Sequence, residues 1–179
     1  DLLCCRKKNN VVLTGDPGCG KTAIIEQLAC CIATGQVPLA LQDKKLFSLD
    51  LNALDAGTSY RGQYEKRLQD VIKEVTTQKN IIIYIDELHN LIGNGSSSGT
   101  GDAANILKPY LARGEFQCIG STTTDEYRKH IEKDGALKRR FSQVFVEEPS
   151  VEDTIKILEG IKDVYGIYRS NMLKIMTPI

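Results

Sequence analysis

Gly15-Asp-Pro-Gly-Cys-Gly-Lys-Thr22 is the stretch that decides the fold of this 179-residue chain. It fits G-x-x-x-x-G-K-[ST] at every fixed position. The apolar run Val11-Val-Leu-Thr14 precedes it, and the segment from Thr22 to about Ala33 reads as a helix. Strand, glycine-rich turn and helix together are the setting in which such a loop curls its backbone N–H groups around phosphate oxygens, at a helix N-terminus whose dipole also favours anions. The bland alternative is a tight Gly-rich turn followed by chance by Lys-Thr. On the phosphate reading, Lys21 reaches the β- and γ-phosphates of ATP and Thr22 offers its hydroxyl to Mg²⁺. Asp16, Pro17, Gly18, Cys19, Gly20 and Ala23 supply the rest of the cradle. Cys19 occupies a free position of the motif and reads as filler rather than as a redox switch.

Moving outward, Ile81-Ile-Ile-Tyr-Ile-Asp86-Glu87 is an apolar strand ending in two carboxylates. In open α/β sheets ligands bind at the C-terminal tips of the strands, which is where Asp86 would sit. Asp86 is the candidate for the Mg²⁺ shell, directly or through water, and Glu87 for the general base that polarises the attacking water. A strand ending Asp-Glu says little alone. Paired with the phosphate loop, it favours hydrolysis over binding alone.

Five short β-rich runs, Val11–Thr14, Leu46–Leu51, Ile81–Ile85, Phe116–Gly120 and Val144–Glu147, alternate with helical segments. Tyr64, Leu68, Val71, Ile72 and Val75 form one face of a helix over Arg61–Gln78. Ser150-Val-Glu-Asp153 caps a last helix with the stripe Ile155, Leu158, Ile161, Val164. Continuously apolar strands imply burial on both faces. The expected fold is therefore α/β: a five-stranded parallel sheet sandwiched between helices, of the P-loop NTPase kind. Gly93-Asn-Gly-Ser-Ser-Ser-Gly-Thr-Gly101 is the one low-complexity stretch and reads as a loop.

Lys+Arg and Asp+Glu number 23 each, so the formal net charge is zero, which argues against a protein that coats nucleic acid or an anionic membrane. Neither partner is expected. The six cysteines form no C-x-x-C pair and only two His residues are present, so a zinc framework has no support; the thiols read as those of a reducing intracellular compartment, cytoplasm or organelle matrix. No apolar run approaches the ~18 residues of a membrane helix. The chain opens at Asp1 without a basic, apolar leader, so it reads as a fragment whose targeting segment lies elsewhere.

Several further runs carry a resemblance. Asp86-Glu-Leu-His-Asn90, Gly120-Ser-Thr-Thr-Thr-Asp-Glu-Tyr-Arg128, Ile131-Glu-Lys-Asp-Gly-Ala-Leu-Lys-Arg-Arg-Phe141, Tyr60-Arg-Gly62 and Glu148-Pro-Ser-Val-Glu-Asp-Thr154 resemble, in order, the first nucleotide-binding domain of ClpB- and ClpC-type AAA+ unfoldases. The likeness runs from about Asn9 to Gly166. It implies that residues 1–166 are a large α/β ATPase subdomain trimmed at its N-terminal edge. Residues 167–179 are left unassigned, and the small helical domain is absent or nearly so.

The resemblance also implies roles. Thr123 matches the sensor-1 position that contacts the γ-phosphate or its water; its alternative is a strand-end Thr capping the next helix. Arg139 and Arg140 match arginine fingers reaching a neighbouring subunit's nucleotide, where an Arg neutralises charge on the transferred phosphoryl group. The alternative is a solvated basic pair at a helix end. Tyr60, with Arg61 and Gly62, matches a pore loop that grips a translocating polypeptide, against the alternative of a helix staple. The Ser96–Ser98 stretch matches a second pore loop. A hexameric ring is implied, with unfolded or aggregated polypeptides as substrates and a peptidase or co-chaperone as a further partner.

Two departures stand out: Ser59 where the family usually has Lys, and Lys138 where Glu is usual beside the fingers. The expected function is ATP hydrolysis that drives unfolding by threading polypeptide through the ring. The rivals are an AAA+ ATPase remodelling nucleic-acid complexes and a nucleotide-gated scaffold.

Overall fold

The computed structural model describes residues 1–5, 8–56, 61–93 and 103–162. Tyr60, Ser59, the loop around Ser96–Ser98, Val164 and residues 167–179 lie outside them. The described chain forms two compact units, one ending at Val146 and one beginning at Glu147.

In the first unit the elements alternate as the sequence pattern predicts. They are β1 (Asn10–Thr14), α1 (Lys21–Ala33), α2 (Leu39–Gln42), β2 (Lys45–Ser48), α3 (Leu51–Asp55), α4 (Arg61–Gln78), β3 (Ile81–Ile85) and α5 (Leu88–Gly93). Then follow α6 (Ala103–Arg113), β4 (Cys118–Thr122), α7 (Thr124–Glu126), a π-helical turn Tyr127–Ile131, α8 (Gly135–Lys138) and β5 (Phe141–Phe145). The five strands form one parallel sheet in the order β2-β3-β4-β1-β5.

Every residue of β3, β4 and β1 is buried, because both faces of the sheet are covered. Alternation along β3 divides the core. Ile81, Ile83 and Ile85 join Leu68, Ile72 and Leu107 on the face of α4 and α6, while Ile82 and Tyr84 join Val11, Leu13 and Ile25 on the face of α1. Tyr64, Leu68, Ile72 and Val75 are the buried stripe of α4, and Val71 is half-buried at its margin.

Three strands differ from the sequence pattern by two residues or more. The second strand stops at Ser48 because the Asp50 carboxylate accepts from the amides of Asn52 and Ala53 and starts α3 at Leu51. The fourth runs two residues later, Cys118–Thr122, with Phe116 and Gln117 buried ahead of it. The fifth starts at Phe141, whose buried ring anchors the edge strand opposite Asn10. A cap at Asp50 and the burial of Phe116, Gln117 and Phe141 mark these ends, and periodicity does not carry that information.

In the second unit, residues 151–162 form a helix. The Ser150 hydroxyl accepts from the Asp153 amide at 3.1 Å and donates to its carboxylate at 2.7 Å, so the predicted cap is present.

Candidate nucleotide site

Parallel pairing brings the C-terminal tips of β3, β4 and β1 side by side, and the loop after β1 closes over them. They enclose a cleft of about 330 Å³. From the loop and the start of α1 it is lined by Pro17, Gly18, Gly20, Lys21 and Thr22. The strand tips contribute Asp86, Glu87, Thr122 and Thr123, and α5 contributes His89.

The loop needs glycine for two different reasons. At Gly15 a Cβ would stand 2.3 Å from the Val146 carbonyl oxygen and 2.9 Å from Cys19 Sγ. Gly20, the residue before α1, has φ 93°, a left-handed conformation that side chains resist. The Cys19 side chain is buried under its own loop, and Lys21 Nζ lies 3.6 Å from its sulfur. Lys21 also donates to the carbonyls of Gly15 (2.9 Å) and Asp16 (2.8 Å), which holds its ammonium at the loop. Asp16 and Ala23 are exposed in the same segment but do not line the cleft.

At the tip of β3, Asp86 Oδ1 accepts from the Glu87 amide at 3.0 Å and from the Ser121 hydroxyl. Glu87 has φ 48°, an uncommon backbone state for a side-chain-bearing residue and one that clusters at functional sites. Its carboxylate accepts from the Asn90 amide at 2.8 Å, one turn into α5. Beneath them the Tyr84 hydroxyl lies 3.0 Å from Ser121 Oγ. Burial pushes the Tyr84 hydroxyl above its ordinary pKa, against hydrogen bonding with Ser121 and Thr22 that pulls it down.

Thr123 caps a helix and also lines the cleft. Its hydroxyl oxygen caps α7 by accepting from the Glu126 amide at 3.2 Å, and the residue lines the cleft with its O–H still available to donate. Beside it, His89 Nδ1 is 2.9 Å from Thr122 Oγ1, and the His89 ring stacks on His130 at 6.3 Å between centroids. The π-helical turn brings His130 there, and Glu126 Oε2 sits 3.0 Å from its Nε2. His89, Asn90, Thr122 and Ser121 lay inside runs already quoted, but no fixed spacing marks them out; the fold brings His89 and Thr122 to the cleft and sets Asn90 and Ser121 against its two carboxylates.

Arg139 and Arg140 follow α8, outside the cleft of their own chain. Among the described residues neither guanidinium has an ion-pair partner, whereas the adjacent Lys138 pairs with Glu132 at 3.1 Å. Arg61 and Gly62 form the start of α4, with Gly62 exposed. Among the described residues no cluster of three His, Cys, Asp or Glu side chains could hold a metal, and no helix is long and apolar enough to cross a membrane.

A parallel sheet in which the interior strand β1 runs into a glycine-rich loop at a helix N-terminus, with a carboxylate pair at the tip of β3, defines a P-loop nucleotide-binding domain. The chain belongs to the ATPase family associated with various cellular activities, whose model matches residues 11–147. It is 59% identical over 168 residues to the chaperone protein ClpB of Leptolyngbya boryana, covering 93% of this chain and 19% of that protein. It is 57% identical over 165 residues to the ATP-dependent Clp protease ATP-binding subunit ClpC of Staphylococcus epidermidis, covering 92% of this chain and 20% of that one. Among solved structures, the S. cerevisiae Hsp104–ADP complex matches with a TM-score of 0.84 at 50% identity, over 93% of this chain and 23% of that chain. The extended Hsp104:casein complex matches with a TM-score of 0.83 at 49% identity, over 94% and 29%. The chain thus spans about a fifth of the length of the curated relatives it matches.

Proposed function

We propose that this chain is the large ATPase subdomain, residues 1–166, of a ring-forming protein unfoldase that couples ATP hydrolysis to threading of polypeptide substrates. The observation that carries this reading is the convergence of Lys21, Thr22, Asp86 and Glu87 on one cleft, in a chain 59% identical to a ClpB chaperone. Relatives solved with ADP and with casein support nucleotide as ligand and polypeptide as substrate.

Lys21 and the loop amides bind the phosphates, and Lys21 exchanges its carbonyl contacts for phosphate oxygens. The Thr22 hydroxyl and the Asp86 carboxylate are hard oxygen donors, a set that fits Mg²⁺. When bound, Mg²⁺ neutralises charge on the phosphates. Glu87, held by Asn90, accepts a proton from the attacking water, and the Thr123 O–H donates to the γ-phosphate or that water. Arg139 and Arg140, without an ion pair among the described residues, reach the nucleotide of the next subunit in a hexamer. Tyr60, with Arg61 and Gly62, grips the substrate in the pore. A peptidase or co-chaperone is the further partner, and neither nucleic acid nor membrane is one. All six cysteines are free thiols, which supports a reducing intracellular compartment.

The test is ATP-driven unfolding of a folded reporter by the full-length protein. Tyr60→Ala is expected to abolish unfolding while ATP turnover persists. Unfolding at the wild-type rate would reject the threading role.

A further inference from the structure

Tyr84 and Ser121 carry hydroxyls into the sheet floor, where 5% and 0% of their surfaces are exposed. The rest of β3 is isoleucine, and an apolar pair of similar shape would fill the same space at little cost in stability. The fold therefore does not require these hydroxyls. Strand parity explains what they reach. Ile82, Tyr84 and Asp86 share one face of β3, Ile119 and Ser121 share the same face of β4, and Tyr84 is in register with Ile119. The next step along both strands sets Ser121 beside Asp86.

Proton accounting fixes the direction of the chain. The Ser121 hydroxyl donates its single proton to Asp86 Oδ1. The Tyr84 hydroxyl, 3.0 Å from Ser121 Oγ, must then be the donor of that bond. Oδ1 is thus held by Ser121 and by the Glu87 amide, and neither bond uses Oδ2.

We propose that Ser121 and Tyr84 are positioning residues that lock Asp86 Oδ1 in place so that Oδ2 is presented to the nucleotide's Mg²⁺. This rests on the reading of the cleft as a magnesium–nucleotide site. A carboxylate at an exposed strand tip otherwise rotates about two bonds, and supporting hydrogen bonds of this kind are worth about 10–100-fold in metal affinity.

The test uses this chain with ADP and with Mn²⁺ as a spectroscopic substitute for Mg²⁺, counting free Mn²⁺ by electron paramagnetic resonance. Ser121→Ala is expected to weaken Mn²⁺ binding to the ADP complex about tenfold or more. ADP affinity in EDTA should stay within about twofold, since the phosphate loop is untouched. Tyr84→Phe, which keeps the ring packing, is expected to shift Mn²⁺ affinity the same way by less. Unchanged Mn²⁺ affinity in both variants would overturn the proposal, as would a fall in metal-free ADP affinity equal to the fall with metal. A wild-type chain that binds no ADP would overturn the reading of the cleft as well.

Discussion

At the scale of single residues, the loop tolerates little change where backbone meets backbone. A methyl at Gly15 would press on the Val146 carbonyl, which belongs to the chain leaving β5 and is itself tied down by the bond from the Val146 amide to the Thr14 carbonyl at 2.7 Å. Gly15→Ala is expected to cost about 1–3 kcal/mol in urea unfolding and to weaken ADP binding, because the loop must shift. Lys21→Ala removes the one ammonium that both holds the Gly15 and Asp16 carbonyls and meets the phosphates. A fluorescent-ADP titration should show affinity reduced at least about tenfold, one charge-assisted contact being worth roughly 1.5–3 kcal/mol. Equal affinity would exclude Lys21 from the phosphate site.

Among the elements, α8 is short and owes its place to Asp134. That carboxylate accepts from the Ala136 and Leu137 amides at 2.9 and 3.2 Å and pairs with Lys108 of α6 at 2.7 Å. Burial pushes its pKa up, but the Lys108 bond and the two amides outweigh burial and hold it below the ordinary value. The folded pKa is therefore depressed. Its stabilising contribution is complete above the ordinary carboxylate pKa and is lost as pH falls through the folded one. Asp134→Asn is expected to flatten the acid side of the stability curve relative to wild type, read as unfolding free energy between about pH 5 and pH 3. It should also cost about 1 kcal/mol at pH 7, mostly the lost ion pair. Identical slopes would remove Asp134 from this role.

Elements and boundaries differed in how far the sequence revealed them. Helix Arg61–Gln78 was legible end to end because its stripe repeats for eighteen residues. The phosphate loop was legible because its spacing is rigid. Strand ends were not, because Asp50, Phe116 and Phe141 act through caps and tertiary burial rather than through period. The hydroxyls under Asp86 were hidden for a related reason. Ser121 lies thirty-five residues from Asp86, and only strand register joins them.

For the whole molecule, the decisive feature is what one chain leaves incomplete. Among the described residues Arg139 and Arg140 sit outside their own cleft and lack ion pairs, which fits the proposed role on a neighbour's nucleotide. The isolated chain is therefore expected to be monomeric and to hydrolyse ATP poorly, as gel filtration and phosphate release would show; stable hexamers with strong turnover would contradict this. In the full-length protein, alanine at both arginines should leave ATP binding intact while hydrolysis falls about 10³-fold or more.

The central claim is that Glu87 activates water for hydrolysis at this cleft. The most direct measurement is the chemical state of nucleotide bound to full-length Glu87→Gln after mixing with ATP. The site should retain ATP, with turnover reduced at least about 100-fold. Wild-type turnover, with ADP recovered from the site, would contradict the account.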